Sequence, residues 1–405
     1  MLFSNPLKKK LSVAAILAVC AIYLFSQQCV LSEKHQAIVK EENVISGPDS
    51  SLVDFYEKLY RLKNDSATND VISILHIGDS HLQADFISAQ IRKNLQADFG
   101  NAGRGLIAPL KLAKTNEPFD YQFTSENNWI SSSCMREKPD YPPGITGITI
   151  ASSDSLIQIQ VALLRENNSF RKLTIFHSPD SLFKLHCQYD SILYLKDRTT
   201  VFLPDTSRLE MEITHDSRLP VQIQGVVLET ADKGILYHAS GINGAHFLNY
   251  ADKGLFLSQT TMLHPSLIIV SLGTNEAYRR NFSESLLYKE IDQLINALKE
   301  ANPNACFLLT TPAAGMRKTE GKLIPNKQVY EAGCVIKKYA EEHNLACWDI
   351  STISGGKQAS SNWMKNGWLA KDGIHFTKQG YIIQGDLLYQ ALINEYNRFV
   401  SNRLE

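Results

Sequence analysis

The stretch Val71 to Ile77 is dominated by Val, Ile and Leu, is bounded by Asn69-Asp70, and stops at Gly78-Asp79-Ser80-His81. A run of this kind reads as a strand buried on both faces. Beyond the turn, Ile87, Ile91 and Leu95 recur at four-residue steps, the spacing of one helix face. A strand, a tight turn and a helix cannot bury their apolar surface alone, so the unit calls for parallel neighbours and covering helices. The chain supplies them. Leu267 to Leu272 is apolar, ends at Gly273-Thr274-Asn275, and leads into a helical pattern through Leu286, Ile291, Leu294, Ile295 and Leu298. Phe307 to Thr310 is a further strand ahead of Pro312. A helix over about Lys327 to His343, a short strand around Leu345 to Ile350 and a long helix from about Lys378 complete the series. The expected class is α/β, a parallel sheet covered on both faces. Ligands of such sheets bind at the carboxyl ends of the strands, where Ser80 and Asn275 both fall.

Between about Asp120 and Glu229 the periodicity changes. Ile157, Ile159 and Val161 alternate with Gln158 and Gln160; Leu209, Met211 and Ile213 with Glu210, Glu212 and Thr214; Val221 and Ile223 with Gln222 and Gln224. Period-two patterning broken at Ser178-Pro179-Asp180 and Leu203-Pro204-Asp205 predicts an antiparallel, all-β module of sandwich or jelly-roll type, inserted into the α/β domain. At the other end, Lys8-Lys9-Lys10 precedes Leu11 to Phe25, fifteen uncharged and mostly apolar residues, the pattern of an export signal. That stretch is shorter than the roughly 20 residues of a comfortable membrane span, although Ser26 to Leu31 extends it, so a cleaved signal and a retained anchor are both open. Val19 ahead of Cys20 is bulky for a lipoprotein cleavage site, which makes lipidation the minor alternative. The expected division is therefore 1–31 signal peptide or anchor, 32–69 polar linker and short helix, 70–118 first part of the α/β domain, 119–229 β module, and 230–405 second part.

Composition excludes several classes. With 405 residues, 20% charged, a formal charge of −1 and no long basic run outside Lys8 to Lys10, there is no electrostatic footprint for nucleic acid. Seven cysteines without a CxxC pair, two of them (Cys20, Cys29) in or beside the signal segment, argue against a metal site and against a full disulfide framework. Cys134, Cys187, Cys306, Cys334 and Cys347 leave room for a bridge or two. His35, His177, His186, His215 and His343 show no metal-ligand spacing, and no cofactor is expected.

The chemistry lies in the loops. Asp372-Gly373-Ile374-His375 supplies an Asp and a His three residues apart, nearly three hundred residues after Ser80. Attack of a hydroxyl on a carbonyl needs a base for the proton and a carboxylate to orient the base, so Ser80, His375 and Asp372 form a candidate triad. The tetrahedral intermediate needs donors for its oxyanion. Asn275 offers a side-chain amide, Gly244 in Gly241-Ile242-Asn243-Gly244-Ala245 an unobstructed N–H, and Ser80 its own N–H. Each piece has a plainer reading. Gly-Asp-Ser alone is a common turn, Asp-Gly-Ile-His is compatible with a turn into a helix that Thr377 caps, and Gly-Thr-Asn is ordinary loop chemistry. Their coincidence in order, each where the pattern places a loop, favours the catalytic reading. His81 and His246 read as cleft-lining or loop residues, and Trp363 and Trp368 either stack on a sugar or pack.

In order, Gly78-Asp79-Ser80, Gly241 to Ala245, Gly273-Thr274-Asn275 and Asp372-Gly373-Ile374-His375 resemble the four blocks of the SGNH (GDSL-type) hydrolases. The resemblance implies a flavodoxin-like α/β/α sandwich over about 70–118 and 230–400. Ile77 to His81, Phe99-Gly100-Asn101-Ala102-Gly103-Arg104-Gly105, Gly241 to His246 and a β-rich insert are similar to the periplasmic peptidoglycan O-acetylesterases of that family. By that alignment Gly244, rather than its neighbour Gly241, is the oxyanion glycine.

The resemblance implies an exported serine esterase, periplasmic or in the cell envelope, that removes acetyl groups from a glycan through an acetyl-Ser80 intermediate. Its partner is the acetylated glycan, with membrane tethering by the N-terminal segment an option and no protein partner implied. The alternatives are an O-acetyltransferase, an esterase of another acetylated polysaccharide, a lipase or thioesterase with a long acyl groove, and a non-catalytic glycan-binding protein.

Overall fold

The computed structural model describes residues 37–404 apart from 66, 166–167, 179–183 and 216–218. The export segment with Cys20 and Cys29, and His35, lie outside the described residues. Five strands, Val71–Gly78, Gly234–Gly241, Leu267–Ser271, Cys306–Thr310 and Ala346–Trp348, form one parallel sheet. Numbered along the chain their spatial order is 2-1-3-4-5, the doubly wound flavodoxin-like order, whose switch point lies between the first and third strands. Ser80 follows the first strand and Asn275 the third.

Both faces of the sheet are covered, which is why its strands read as continuous apolar runs. Ile72 and Ile74 point into one cluster with Ile91, Leu95, Leu388 and Leu392, from helices Phe86–Phe99 and Lys378–Leu404. Leu75 and Ile77 point the other way, into a cluster with Leu287, Ile291, Leu294 and Leu298 of helix Glu284–Ala301 and Val329, Ile336 and Tyr339 of helix Lys327–Glu342. The period-two segments form two antiparallel sheets, with Phe170–His177, Arg198–Thr206 and Val221–Glu229 in one and Leu156–Leu163 and Arg208–Thr214 in the other. Ile157, Val161, Leu209, Ile213, Val221 and Ile223 are all buried and join one core, a sandwich made by the predicted alternation.

Two boundaries differ from the sequence reading. Gly105–Ile107, expected with the α/β domain, pairs with Val226 to Leu228 of the β module. Gly105 sits at φ +79°, and a Cβ there would lie 2.3 Å from the Tyr237 carbonyl oxygen, so only glycine lets this strand cross between module and sheet. Residues 37–50, expected as linker, are part of the fold. Ile45–Ser46 adds an antiparallel edge to Ala346–Trp348. Buried Asn43 accepts from Trp348 Nε1 at 2.9 Å and donates to the Leu387 carbonyl at 3.0 Å. Their polar composition hid this: Ala37, Ile38 and Ile45 pack on the apolar core but are too few to show a stripe, and backbone pairing and the satisfied Asn43 amide add the rest.

Candidate active site

Ser80 opens a four-residue helix, Ser80–Gln83, whose N-cap is Asp79: the Asp79 carboxylate accepts the His81 N–H at 2.9 Å. The turn is sharp and crowded. A Cβ on Gly241 would stand 2.6 Å from the Gln83 nitrogen and 2.9 Å from the Asp79 carbonyl oxygen. Gly241 is therefore the position where the second strand's end touches the Ser80 turn, which distinguishes it from Gly244.

Asp372 lies in a tight turn in which its Oδ1 accepts the N–H groups of Ile374 and His375, each at 2.9 Å, while Oδ2 lies 2.8 Å from His375 Nδ1. Gly373 at φ +75° lets the turn close. Burial opposes the Asp372 charge, but the Ile374 N–H, the His375 side chain and the His375 N–H outweigh it and hold the carboxyl below its ordinary value. A carboxylate at Nδ1 assigns the imidazole proton to that nitrogen and leaves the Nε2 lone pair free. His375 Nε2 is 3.0 Å from Ser80 Oγ. One hydroxyl, one imidazole and one carboxylate from distant segments are in line, which is the arrangement a nucleophilic serine needs. Thr377 also caps the following helix, accepting from the Gly380 N–H at 3.2 Å, so the plainer turn-and-cap reading holds alongside the catalytic one.

The three expected oxyanion donors stand in different states. The Ser80 and Gly244 N–H groups have no protein acceptor among the described residues, and Gly244, at φ +81°, occupies the turn after the second strand. The Asn275 amide is already engaged: Nδ2 donates to the Ala245 carbonyl at 3.0 Å and to Asp79 Oδ2 at 3.3 Å. It ties the Gly244 loop to the Ser80 turn.

Several contributing residues carry no sequence motif. Gln83 accepts the Asn243 N–H at 2.7 Å and donates to Asn116 Oδ1 at 2.8 Å, fixing the Gly244 loop to the chain entering the β module. His76, on the nucleophile strand, contacts Tyr237 OH at 2.7 Å and Ser271 Oγ at 2.6 Å, and burial pushes its pKa down to about 3. This neutral ring clamps three strands beneath the nucleophile; a histidine in an otherwise apolar strand is the one signal it left. Glu276, buried beside Asn275, accepts the Phe247 N–H at 2.8 Å.

The other residues singled out in the sequence take plain structural places. His81 packs 5.4 Å from His375, ring to ring, and shares a 3.0 Å hydrogen bond with Tyr381 OH. His246 caps a short helix through Asn249. Trp363 and Trp368 are buried packing residues; Trp363 Nε1 donates to Ala37 and Ser354 carbonyls. Cys134, Cys187, Cys306, Cys334 and Cys347 are free thiols. Among the described residues no cluster of His, Cys, Asp or Glu is arranged to hold a metal, and no helix is long and apolar enough to cross a membrane.

Residues 221–383 match the GDSL-like Lipase/Acylhydrolase family, a span that contains Gly244, Asn275, Asp372 and His375 but leaves Ser80 outside, across the inserted module. A solved peptidoglycan O-acetylesterase, caught in action, is similar over 87% of this chain and 99% of its own, with TM-score 0.71 and 22% identity. The lipase/acylhydrolase from Enterococcus faecalis overlaps 41% of this chain and 78% of its own at TM-score 0.30 and 18% identity. An acetyl xylan esterase overlaps 39% and 81% at TM-score 0.32 and 19% identity. No curated protein matches the sequence.

Proposed function

We propose that this chain is a serine esterase of the GDSL-type (SGNH) kind that removes O-acetyl groups from a cell-envelope glycan, peptidoglycan first among the candidates. The observation that carries the reading is the 3.0 Å contact of Ser80 Oγ with His375 Nε2, backed by Asp372 at 2.8 Å. The likeness to a peptidoglycan O-acetylesterase along nearly the whole of both chains supports the substrate class. So does the openness of the triad: the side chains of His375 and Asp372 are 43% and 49% exposed, which suits a short acyl group on a bulky polymeric alcohol.

Ser80 Oγ attacks the acetyl carbonyl carbon as its proton passes to His375 Nε2. The Ser80 and Gly244 N–H groups and the Asn275 amide stabilise the oxyanion. The carbon–oxygen bond to the sugar breaks, and the proton on His375 goes to the departing sugar oxygen. Water then gives a proton to His375 and adds to the acetyl-serine; Oγ leaves, recovers the proton, and acetate is released. Lys8-Lys9-Lys10 and the apolar segment after them support export, with the enzyme periplasmic or tethered to the envelope.

The test is acetate release from O-acetylated peptidoglycan and from acetylated xylan by the purified protein. Release from peptidoglycan in preference to xylan is expected, and retention of that activity by Ser80→Ala overturns the assignment.

A further inference from the structure

Two exposed cations that the reaction above does not use meet on one ring, one of them three residues after His375. Asn116 accepts from Asn243 Nδ2 at 2.6 Å, next to Gly244, and Phe119 is three residues further on, within about 11 Å of chain reach. Phe119 is 40% exposed and stacks on Phe86, with ring centroids 5.3 Å apart at 19°. Two cations converge on this ring: Arg165 Cζ at 4.5 Å, from the β module, and Lys378 Nζ at 5.1 Å, three residues after His375. Both residues are exposed, and neither is ion-paired among the described residues.

Among the described residues the nearby acids are engaged elsewhere. Asp372 serves His375, Asp120 is locked to Arg92 and Arg104, and Glu117 accepts the Phe123 N–H. Lys378 begins helix Lys378–Leu404, whose first turn holds no acidic residue. A cation at that end opposes the helix dipole, so helix stability does not account for it. Rings hold the guanidinium and ammonium in place without neutralising them. What results is a positive site with no ion-pair partner among the described residues, mounted on Phe119 and including Lys378, three residues after His375.

We infer that Arg165 and Lys378, mounted on Phe119, form a carboxylate-binding subsite, so that the acetyl ester is taken from an anionic glycan whose sugar or attached peptide carries a free carboxylate. This rests on the esterase reading of the triad and narrows its substrate. Arg165 grips the carboxylate with its planar fork and Lys378 adds a point charge. Because Arg165 belongs to the β module, the module takes part in substrate choice at the active-site mouth.

The test separates binding from turnover. Full-length Ser80→Ala is titrated with peptidoglycan fragments bearing free carboxylates and with the same fragments after their carboxylates are amidated. The free form is expected to bind at least about tenfold tighter at low salt, and the difference to shrink in high salt. In a Ser80→Ala background carrying Arg165→Gln and Lys378→Gln, the difference is expected to vanish. With Ser80 intact, the double substitution is expected to raise KM on O-acetylated peptidoglycan while leaving p-nitrophenyl acetate turnover unchanged, which also reports that the fold is intact. Equal binding of the two fragment forms, undetectable binding of both, or a difference that survives the double substitution overturns the subsite. Absence of acetate release by the wild type, with the charge-dependent binding present, would instead overturn the esterase reading and leave the subsite standing.

Discussion

Two acid-containing networks stand a few residues apart in this molecule and are built in opposite ways. The triad keeps its imidazole and carboxylate near water, with His375 and Asp372 close to half exposed, and Asp372 is oriented by backbone groups of its own turn. The quartet of Asp85, Arg92, Arg104 and Asp120 is dry, its side chains only 3–7% exposed. Arg104 reaches Asp85 at 2.5 Å and Asp120 at 2.7 Å, and Arg92 reaches Asp85 at 2.7 Å. Burial alone would raise the Asp85 carboxyl, but Arg104 and then Arg92 reverse this and hold it below its ordinary value. A group that must gain and lose a proton each cycle stays near solvent. Charges that join helix Phe86–Phe99, the loop after it and the entry to the β module are sealed in place.

If that division of labour is right, substitutions should separate cleanly. Ser80→Ala is expected to lower kcat at least about 10^4-fold while leaving the thermal midpoint unchanged, read by acetate release and calorimetry. A large fall in the midpoint would mean the triad also holds the fold together. Arg104→Met should do the reverse. It leaves Asp85 and Asp120 buried with one partner fewer, a loss of about 3–5 kcal/mol in unfolding free energy, while kcat of the folded fraction stays within about twofold. Asn275→Ala sharpens the comparison because the residue is a tie between loops and the proposed side-chain donor to the oxyanion. A loss of about 10^2 to 10^3 in kcat with little change in KM is expected of an oxyanion donor. A fall confined to stability would assign it to the tie alone.

The same contrast explains what the sequence disclosed. Ser80, Asn275, Asp372 and His375 were visible because each follows an apolar strand or forms a short-range pair, and the 2-1-3-4-5 sheet order then brings the loops to one rim. The predicted alternation located the module core, since Ile157, Ile159 and Val161 are all buried. The quartet left no such trace. Asp85, Arg92, Arg104 and Asp120 have no common period, and a buried ion pair reads as surface until the partners are known. Alignment alone prefers Gly244 to Gly241; the physical difference, that Gly241 abuts the Ser80 turn and Gly244 lies free of it, shows only in the fold. The edge strand at Ile45–Ser46 was hidden because two residues are too few to show a period.

The smallest expected effect tests the burial of one carboxyl beside Asn275. Glu276 is 1% exposed, gives one oxygen to the Phe247 N–H, and has no hydrogen-bond partner for the other among the described residues. Burial, only partly offset by that N–H, pushes its pKa up to about 7. A carboxyl whose folded pKa lies above its unfolded value contributes fully below the unfolded pKa. That contribution is lost as pH rises through about 7, because a charge must then be buried. Asp85 has the opposite slope: its depressed pKa stabilises the fold above the ordinary carboxylate value and is lost on acidification. Glu276→Gln cannot ionise. Its unfolding free energy should match the wild type near pH 4 and exceed it near pH 8 by at most roughly 3 kcal/mol, the linkage value of the shift. Denaturant melts of both proteins across that range check this. A difference that is the same at both ends would mean that lost or gained packing, rather than the buried charge, sets the effect.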